Sequence, residues 1–233
     1  MKLGILKSDD VRSELVDEFG EYPDMFTRLL RAVEPTLEIV SYEVQHGDYP
    51  QNIDEVDAYL ITGSKASVYD DVDWIRQLAD FVRTLHKARK KLLGICFGHQ
   101  MVAHALDGKA EKSHKGWGVG SDTVRFFDHN NRYAAETDGY CLWFSHQDQV
   151  VIPAAGATVL GGTSFCPIAM CQLENHILTI QGHPEFSPDF ARGLLNLRKD
   201  IVGDDVYRRG ISSLNLPTDR QRVAEWLIDF IKS

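Results

Sequence analysis

Cysteine is scarce in this chain. There are four in 233 residues, Cys96, Cys141, Cys166 and Cys171, and no two form a C-x-x-C pair. That excludes a disulfide framework and the ligand spacing of a structural zinc site, so no metal is expected and a reduced compartment is. Positive charge is also sparse. Twenty-five Lys and Arg stand against 34 Asp and Glu, a net charge of −9. The basic run "KARKK", Lys87–Lys91, closes a predicted helix, where cations suit the dipole; a nucleic-acid partner is not expected. No apolar stretch reaches membrane length, and the opening "MKLGILKSDD" is too short an apolar run for a signal peptide. A cytoplasmic protein with no membrane partner follows as the expectation. There is no repeat, no low-complexity tract and no Pro/Gly/Ser-rich linker, so residues 1–233 read as a single domain. A Gly-rich phosphate loop is missing as well, and ATP chemistry is not expected of these residues.

What the chain does have is alternation. Strand-like runs at Leu3–Leu6, Leu37–Val44, Val56–Gly63 and "KLLGIC" (Lys91–Cys96) are separated by stretches of helical spacing. Tyr22–Val33 repeats apolar residues at Met25, Phe26, Leu29, Leu30 and Val33, and Val72–Arg89 at Ile75, Leu78, Phe81, Val82 and Leu85. His99–Leu106 reads as the next helix. The second half brings a series of strands, some antiparallel: Trp117–Phe127, Tyr140–Val151, Ala157–Ser164, Pro167–Glu174 and Ile177–His183. Helices return at Pro188–Val202 and Thr218–Ser233. This order predicts an α/β fold of three layers, with helices on both faces of a mostly parallel central sheet. Trp117, Trp143 and Tyr69 are expected in the core rather than on a docking face.

Ligands of such sheets sit at the carboxyl ends of the strands. Cys96 ends a predicted strand inside "GICFG", Gly94–Gly98, a G-x-C-x-G version of the nucleophile elbow. Small neighbours let the strand and the following helix approach, and the helix N-terminus favours thiolate and oxyanion. A lone cysteine is commonly a buried core residue; the flanking glycines and the helix weigh against that here. A cysteine nucleophile needs a base. "GHPEF", Gly182–Phe186, offers His183 with Glu185 two residues on, close enough to orient the imidazole and stabilise its charged form. "ITGS", Ile61–Ser64, puts a glycine turn at another strand end. The N–H groups of Gly63 and Ser64, with that of Phe97, are candidate oxyanion donors.

Together, "GICFGHQ", "ITGSKASVYD" and "GHPEF" resemble the class I, triad-type glutamine amidotransferases, most closely the glutaminase domain of GMP synthase. "FSHQDQV" (Phe144–Val150), "CPIAM" (Cys166–Met170) and "KGWGV" (Lys115–Val119) are similar to further family segments, in family order. The resemblance implies a flavodoxin-like sheet fold and a mechanism. Cys96 would attack the side-chain amide of glutamine, His183 would move the proton, Glu185 would orient His183, and water would release the γ-glutamyl thioester. It also implies that Gln100 helps hold the glutamine and that Ser145, His146, Gln147 and Asp148 line the other side. No cofactor is implied. Two positions depart from the family pattern: Ser64 replaces a glycine, and Lys65 stands where proline is common. The implied product is ammonia for a separate synthase partner. A γ-glutamyl peptidase with the same triad is the alternative, and a binding module without activity a third. The discriminating feature is the rim around the leaving group, which a peptidase keeps open.

Overall fold

The computed structural model describes residues 1–135 and 137–233. The chain opens with β1 (Lys2–Lys7), passes α1 (Ser13–Phe19) and α2 (Tyr22–Arg31), and returns as β2 (Glu38–Glu43). Then come β3 (Ala58–Ile61), α3 (Asp73–Lys87), β4 (Lys91–Ile95) and α4 (Phe97–Ala105). Seven strands follow: β5 (Lys109–Lys112), β6 (Gly118–Phe126), β7 (Gly139–His146), β8 (Asp148–Ile152), β9 (Thr158–Gly162), β10 (Met170–Leu173) and β11 (Ile177–Ile180). Helices α5 (Pro188–Leu197), α6 (Lys199–Val202), α7 (Asp204–Ser213) and α8 (Arg220–Lys232) close the chain.

Nine strands form one sheet in the order β2-β1-β3-β4-β11-β10-β9-β6-β7. The first five are paired in parallel. The pairings from β11 onward are antiparallel, so only β10 and β6 run against the other seven. The α/β expectation of a mostly parallel central sheet between helices holds. β5 and β8 form a separate antiparallel ribbon.

Side chains alternate across the parallel strands, and both faces are covered. Leu3, Ile5, Leu60, Leu93 and Ile95 meet Phe26 and Leu30 of α2 and Leu227 and Phe230 of α8. Leu6, Tyr59, Ile61 and Leu92 meet Ile75, Leu78 and Val82 of α3 and Met101 of α4. A strand buried on both faces reads as a continuous apolar run, which is why "AYLI" shows no alternation in its sequence. Each such side chain contributes roughly 1.5–3 kcal/mol by leaving water.

The structure departs from the sequence reading in several places, among them β5, since no strand was expected at Lys109–Lys112. Tyr140–Val151 is not one strand: it bends at Gln147, leaving β7 in the main sheet and β8 in the ribbon. Three bonds fix the bend. Ser113 N–H donates to the Gln147 carbonyl, and His146 Nδ1 and Gln100 Nε2 both donate to the Asp148 carbonyl. Pro188–Val202 breaks at Arg198, which has φ −100° and ψ 4°, giving α5 and α6. Helices α1 and α7 were not expected, because each buries a single residue, Leu15 and Gly210. Trp143 is in the core as expected, but Trp117 is only partly buried and Tyr69 is 45% exposed.

Candidate active site

The parallel run sends the ends of β1, β3, β4 and β11 to one edge of the sheet. Ile61 lies beside Gly94, and Ile180 beside Ile95. The residues just after these strands therefore converge: Asp9, Gly63, Cys96 and His183.

Cys96 is the turn itself, with φ 53° and ψ −100°. A non-glycine residue held there costs about 1–3 kcal/mol and persists only where its surroundings enforce it. They do. Its N–H donates to the Ile180 carbonyl at 2.9 Å, and its carbonyl accepts the first bond of α4 from the Gln100 N–H. The flanking glycines permit the approach. A Cβ on Gly94 would sit 2.6 Å from the Gly98 carbonyl oxygen, and one on Gly98 would sit 2.6 Å from that of Ile61. The other thiols are placed differently. Burial pushes Cys166 and Cys171 up to about 12, leaving them inert, and also raises Cys141.

His183 is anchored through its main chain, whose N–H donates to the Trp143 carbonyl at 2.8 Å. Its ring stacks on Phe186, with centroids 3.9 Å apart and planes 8° apart. Nδ1 lies 2.7 Å from Glu185 Oε1, which assigns the proton there and leaves Nε2 for Cys96. A Cβ on Gly63 would be 3.1 Å from His183 Cε1 and 3.8 Å from Cys96 Cβ, so the three residues share one small space. Burial alone would depress the imidazole. The Glu185 charge and the Cys96 sulfur outweigh it and raise His183 to about 10. The Glu185 side chain is itself excluded from water. Its backbone is clamped from α8: Arg220 Nε donates to the Pro184 carbonyl at 3.0 Å and Nη2 to that of Glu185 at 3.1 Å.

No protein acceptor takes the N–H groups of Gly63, Ser64 or Phe97 among the described residues. The loop without a proline at position 65 is held by Asp9, whose carboxylate accepts from Lys65 N and Nζ, each at 2.8 Å. Beside this loop opens a cleft of about 390 Å3. Ser64, His146, Gln147 and Asp148 line it. Asp148 Oδ2 accepts from Ser67 Oγ at 2.5 Å. His146 is neutral, pushed down to about 4 by burial, with Nδ1 bonded to the Asp148 carbonyl. Ser145 meets the cleft only through Arg198, whose Nη1 donates to its hydroxyl at 2.8 Å. Gln100 is buried, its Nε2 given to the Asp148 carbonyl and to Gln181 Oε1. Of the family-implied pocket residues, Gln100 therefore braces the wall while the other segment forms it. Among the described residues no three His, Cys, Asp or Glu side chains converge as a metal site.

Comparison with known proteins gives this arrangement its family. The sequence profile of class-I glutamine amidotransferases matches residues 14–195. A glutamine amidotransferase-like protein of Schizosaccharomyces pombe is 30% identical over 98% of both chains. The chain belongs to the class-I glutamine amidotransferase family. γ-Glutamyl peptidase 5 of Arabidopsis thaliana is 31% identical, covering 82% of this chain and 80% of its own. A glutamine-hydrolysing GMP synthase subunit of Sulfolobus acidocaldarius is 31% identical, covering 58% of this chain and 70% of its own. In fold, a glutamine amidotransferase from Thermotoga maritima superposes with a TM-score of 0.77 at 16% identity, over 100% of this chain and 96% of its own.

The sequence reading missed four residues of this candidate site. Gln181, fully buried, donates to Cys96 Sγ at 3.5 Å. Phe186, Arg198 and Arg220 were not singled out. Phe186 and Gln181 lie inside or beside the His-Pro-Glu motif and were within reach. The two arginines come from distant helices, and nothing local marks them.

Proposed function

We propose that the chain hydrolyses γ-glutamyl amide bonds through Cys96, His183 and Glu185, and that γ-glutamyl peptides are its substrates. The carrying observation is the open cleft of about 390 Å3 lined by Ser64–Ser67, the loop that follows Gly63, whose own neighbours are His183 and Cys96. The glutamyl half, against His146, Gln147 and Asp148, would fill only part of that volume; a leaving ammonia needs none of the remainder, whereas an amino acid or peptide amine does.

His183, held as imidazolium by Glu185, keeps the proton and faces the sulfur, which attacks the γ-carbonyl carbon as thiolate. The carbonyl oxygen takes the charge and is met by the N–H groups of Gly63, Ser64 and Phe97. His183 then gives its proton to the departing nitrogen as the C–N bond breaks, leaving a γ-glutamyl thioester and a free amine. Water attacks that thioester with His183 as base. The products are glutamate and the amine, and the thiolate–imidazolium pair is restored. Glu185 holds the ring so that Nε2 serves both steps.

A second reading has glutamine as substrate and a separate synthase as the ammonia acceptor. The match to the GMP synthase subunit favours it. The test measures glutamate release from L-glutamine and from γ-Glu-Gly, with Cys96→Ala as blank. Faster turnover of the dipeptide supports the peptidase reading. Turnover of glutamine alone rejects it in favour of the second.

A further inference from the structure

The ion pairs of the cleft wall leave its cations unequally engaged. Asp9 pairs with Lys65 at 2.8 Å and Asp10 with Lys7 at 2.6 Å, a lysine that also meets Glu21 and Glu43. Asp148 accepts the Ser67 hydroxyl, a neutral group that does not offset its charge. Arg12, on the rim, leans to Glu14 at 3.5 Å. Arg198 has no carboxylate partner among the described residues. Its Nη1 is spent on the carbonyl and hydroxyl of Ser145, at 3.4 and 2.8 Å, and its guanidinium lies 5.8 Å from the Trp117 ring centroid. These contacts fix the head group. They leave Nε and Nη2 without an acceptor among the described residues, and that edge of a guanidinium grips a carboxylate through two parallel bonds. The break between α5 and α6 falls on this residue, so Arg198 stands on the cleft wall between Leu197 and Ile201.

We propose that the leaving half of the substrate carries a free carboxylate and that Arg198 receives it. The proposal rests on the peptidase reading and narrows it: γ-glutamyl amino acids and peptides with an uncapped carboxyl end are the substrates, and neutral γ-glutamyl amides are poor ones. Trp117 and the apolar wall of Leu194, Leu197 and Ile201 would flank the leaving residue, while Lys112, also on this wall and without an ion pair among the described residues, adds positive potential.

The experiment compares γ-Glu-Gly, γ-Glu-glycinamide and L-glutamine. Turnover is read with the wild type and Arg198→Gln; binding is read by calorimetry in the Cys96→Ala background, with and without Arg198→Gln. A charged hydrogen-bond pair gives about tenfold or more. The wild type should therefore prefer γ-Glu-Gly over the glycinamide by at least about that factor in kcat/KM. Arg198→Gln should erase the preference, and its loss on the dipeptide should exceed its loss on either neutral-ended substrate by a similar factor. Arg198→Lys should restore part of it. Equal losses on all three substrates would overturn the proposal, because Arg198 would then serve the glutamyl half or the shape of the wall. A dipeptide cleaved well but indifferent to Arg198 would also overturn it, while sparing the peptidase reading. No dipeptide cleavage, with no preference for the free carboxylate in calorimetry, would overturn both.

Discussion

Removing Glu185 tests the hydrogen-bonded pair at the centre of the site. The His183–Glu185 contact is 2.7 Å long, and the two side chains are 5% and 0% exposed. A hydrogen bond to a charged group contributes about 1.5–3 kcal/mol, and each 1.36 kcal/mol is tenfold in rate. Glu185→Ala should therefore lower kcat about 10- to 150-fold. Glu185→Gln should cost more, up to ~10^4-fold, because the carboxamide can donate to Nδ1 and move the imidazole proton to the nitrogen facing the sulfur. The ring's titration, followed by NMR, gives a second readout. Burial depresses His183, while Glu185 and Cys96 raise it to about 10. Without Glu185 the inflection should fall far below that value. The stability consequence has a definite sign. A folded-state pKa raised above the unfolded value near 6.5 stabilises fully below that pH, and the contribution is lost as pH rises through about 10. The stability gap between wild type and Glu185→Ala should therefore shrink from pH 7 to 10. If Glu185→Ala kept most of its turnover and an unmoved inflection, the orienting role would be refuted.

Cys96→Ala should abolish turnover and leave the circular dichroism spectrum unchanged; any retained turnover removes Cys96 as nucleophile. Cys96→Gly should be equally dead but at least as heat-stable as Cys96→Ala, because glycine tolerates φ 53° without strain; a lower Tm for the glycine variant would contradict the strained turn. Gly98→Ala forces a Cβ against the Ile61 carbonyl and should cost about 1–3 kcal/mol, read as a drop of several degrees in Tm, with activity falling further than stability. Arg220→Ala removes two bonds to the Pro184 and Glu185 carbonyls and should lower kcat about tenfold with little change in KM, partly restored by guanidinium in the buffer; a change in KM alone would place Arg220 elsewhere in the reaction.

What the sequence displays and what it hides follow from how far apart the interacting residues lie along the chain. The elbow is local. Gly94, Cys96 and Gly98 are two residues apart because one sharp turn needs all three, so the pattern survives in the letters. His183 and Glu185 are local for the same reason, since a single Pro184 spans the pair. The parallel sheet was legible through alternation, and topology then carried Gly63, Cys96 and His183 to a common edge although more than a hundred residues separate the first from the last. The bend at Gln147 was hidden. "YCLWFSHQDQVV" is apolar and β-branched enough for one strand, and the bonds that break it come from Gln100 and Ser113 on other elements. Arg198 was hidden more deeply. In a helical stretch it reads as an ordinary solvated cation, and only the fold brings it to Ser145 and Trp117. The proposed chemistry of bond cleavage thus sits in short motifs, while the cleft wall is assembled from α2, β5, β7, β8, α5, α6 and the loops between them. Substitutions on that wall can change the substrate without touching Cys96, His183 or Glu185. That freedom is consistent with one family containing both a γ-glutamyl peptidase and part of a GMP synthase. Under the proposed function, it makes the residues around Arg198, rather than the motifs, the place where this chain's substrate is decided.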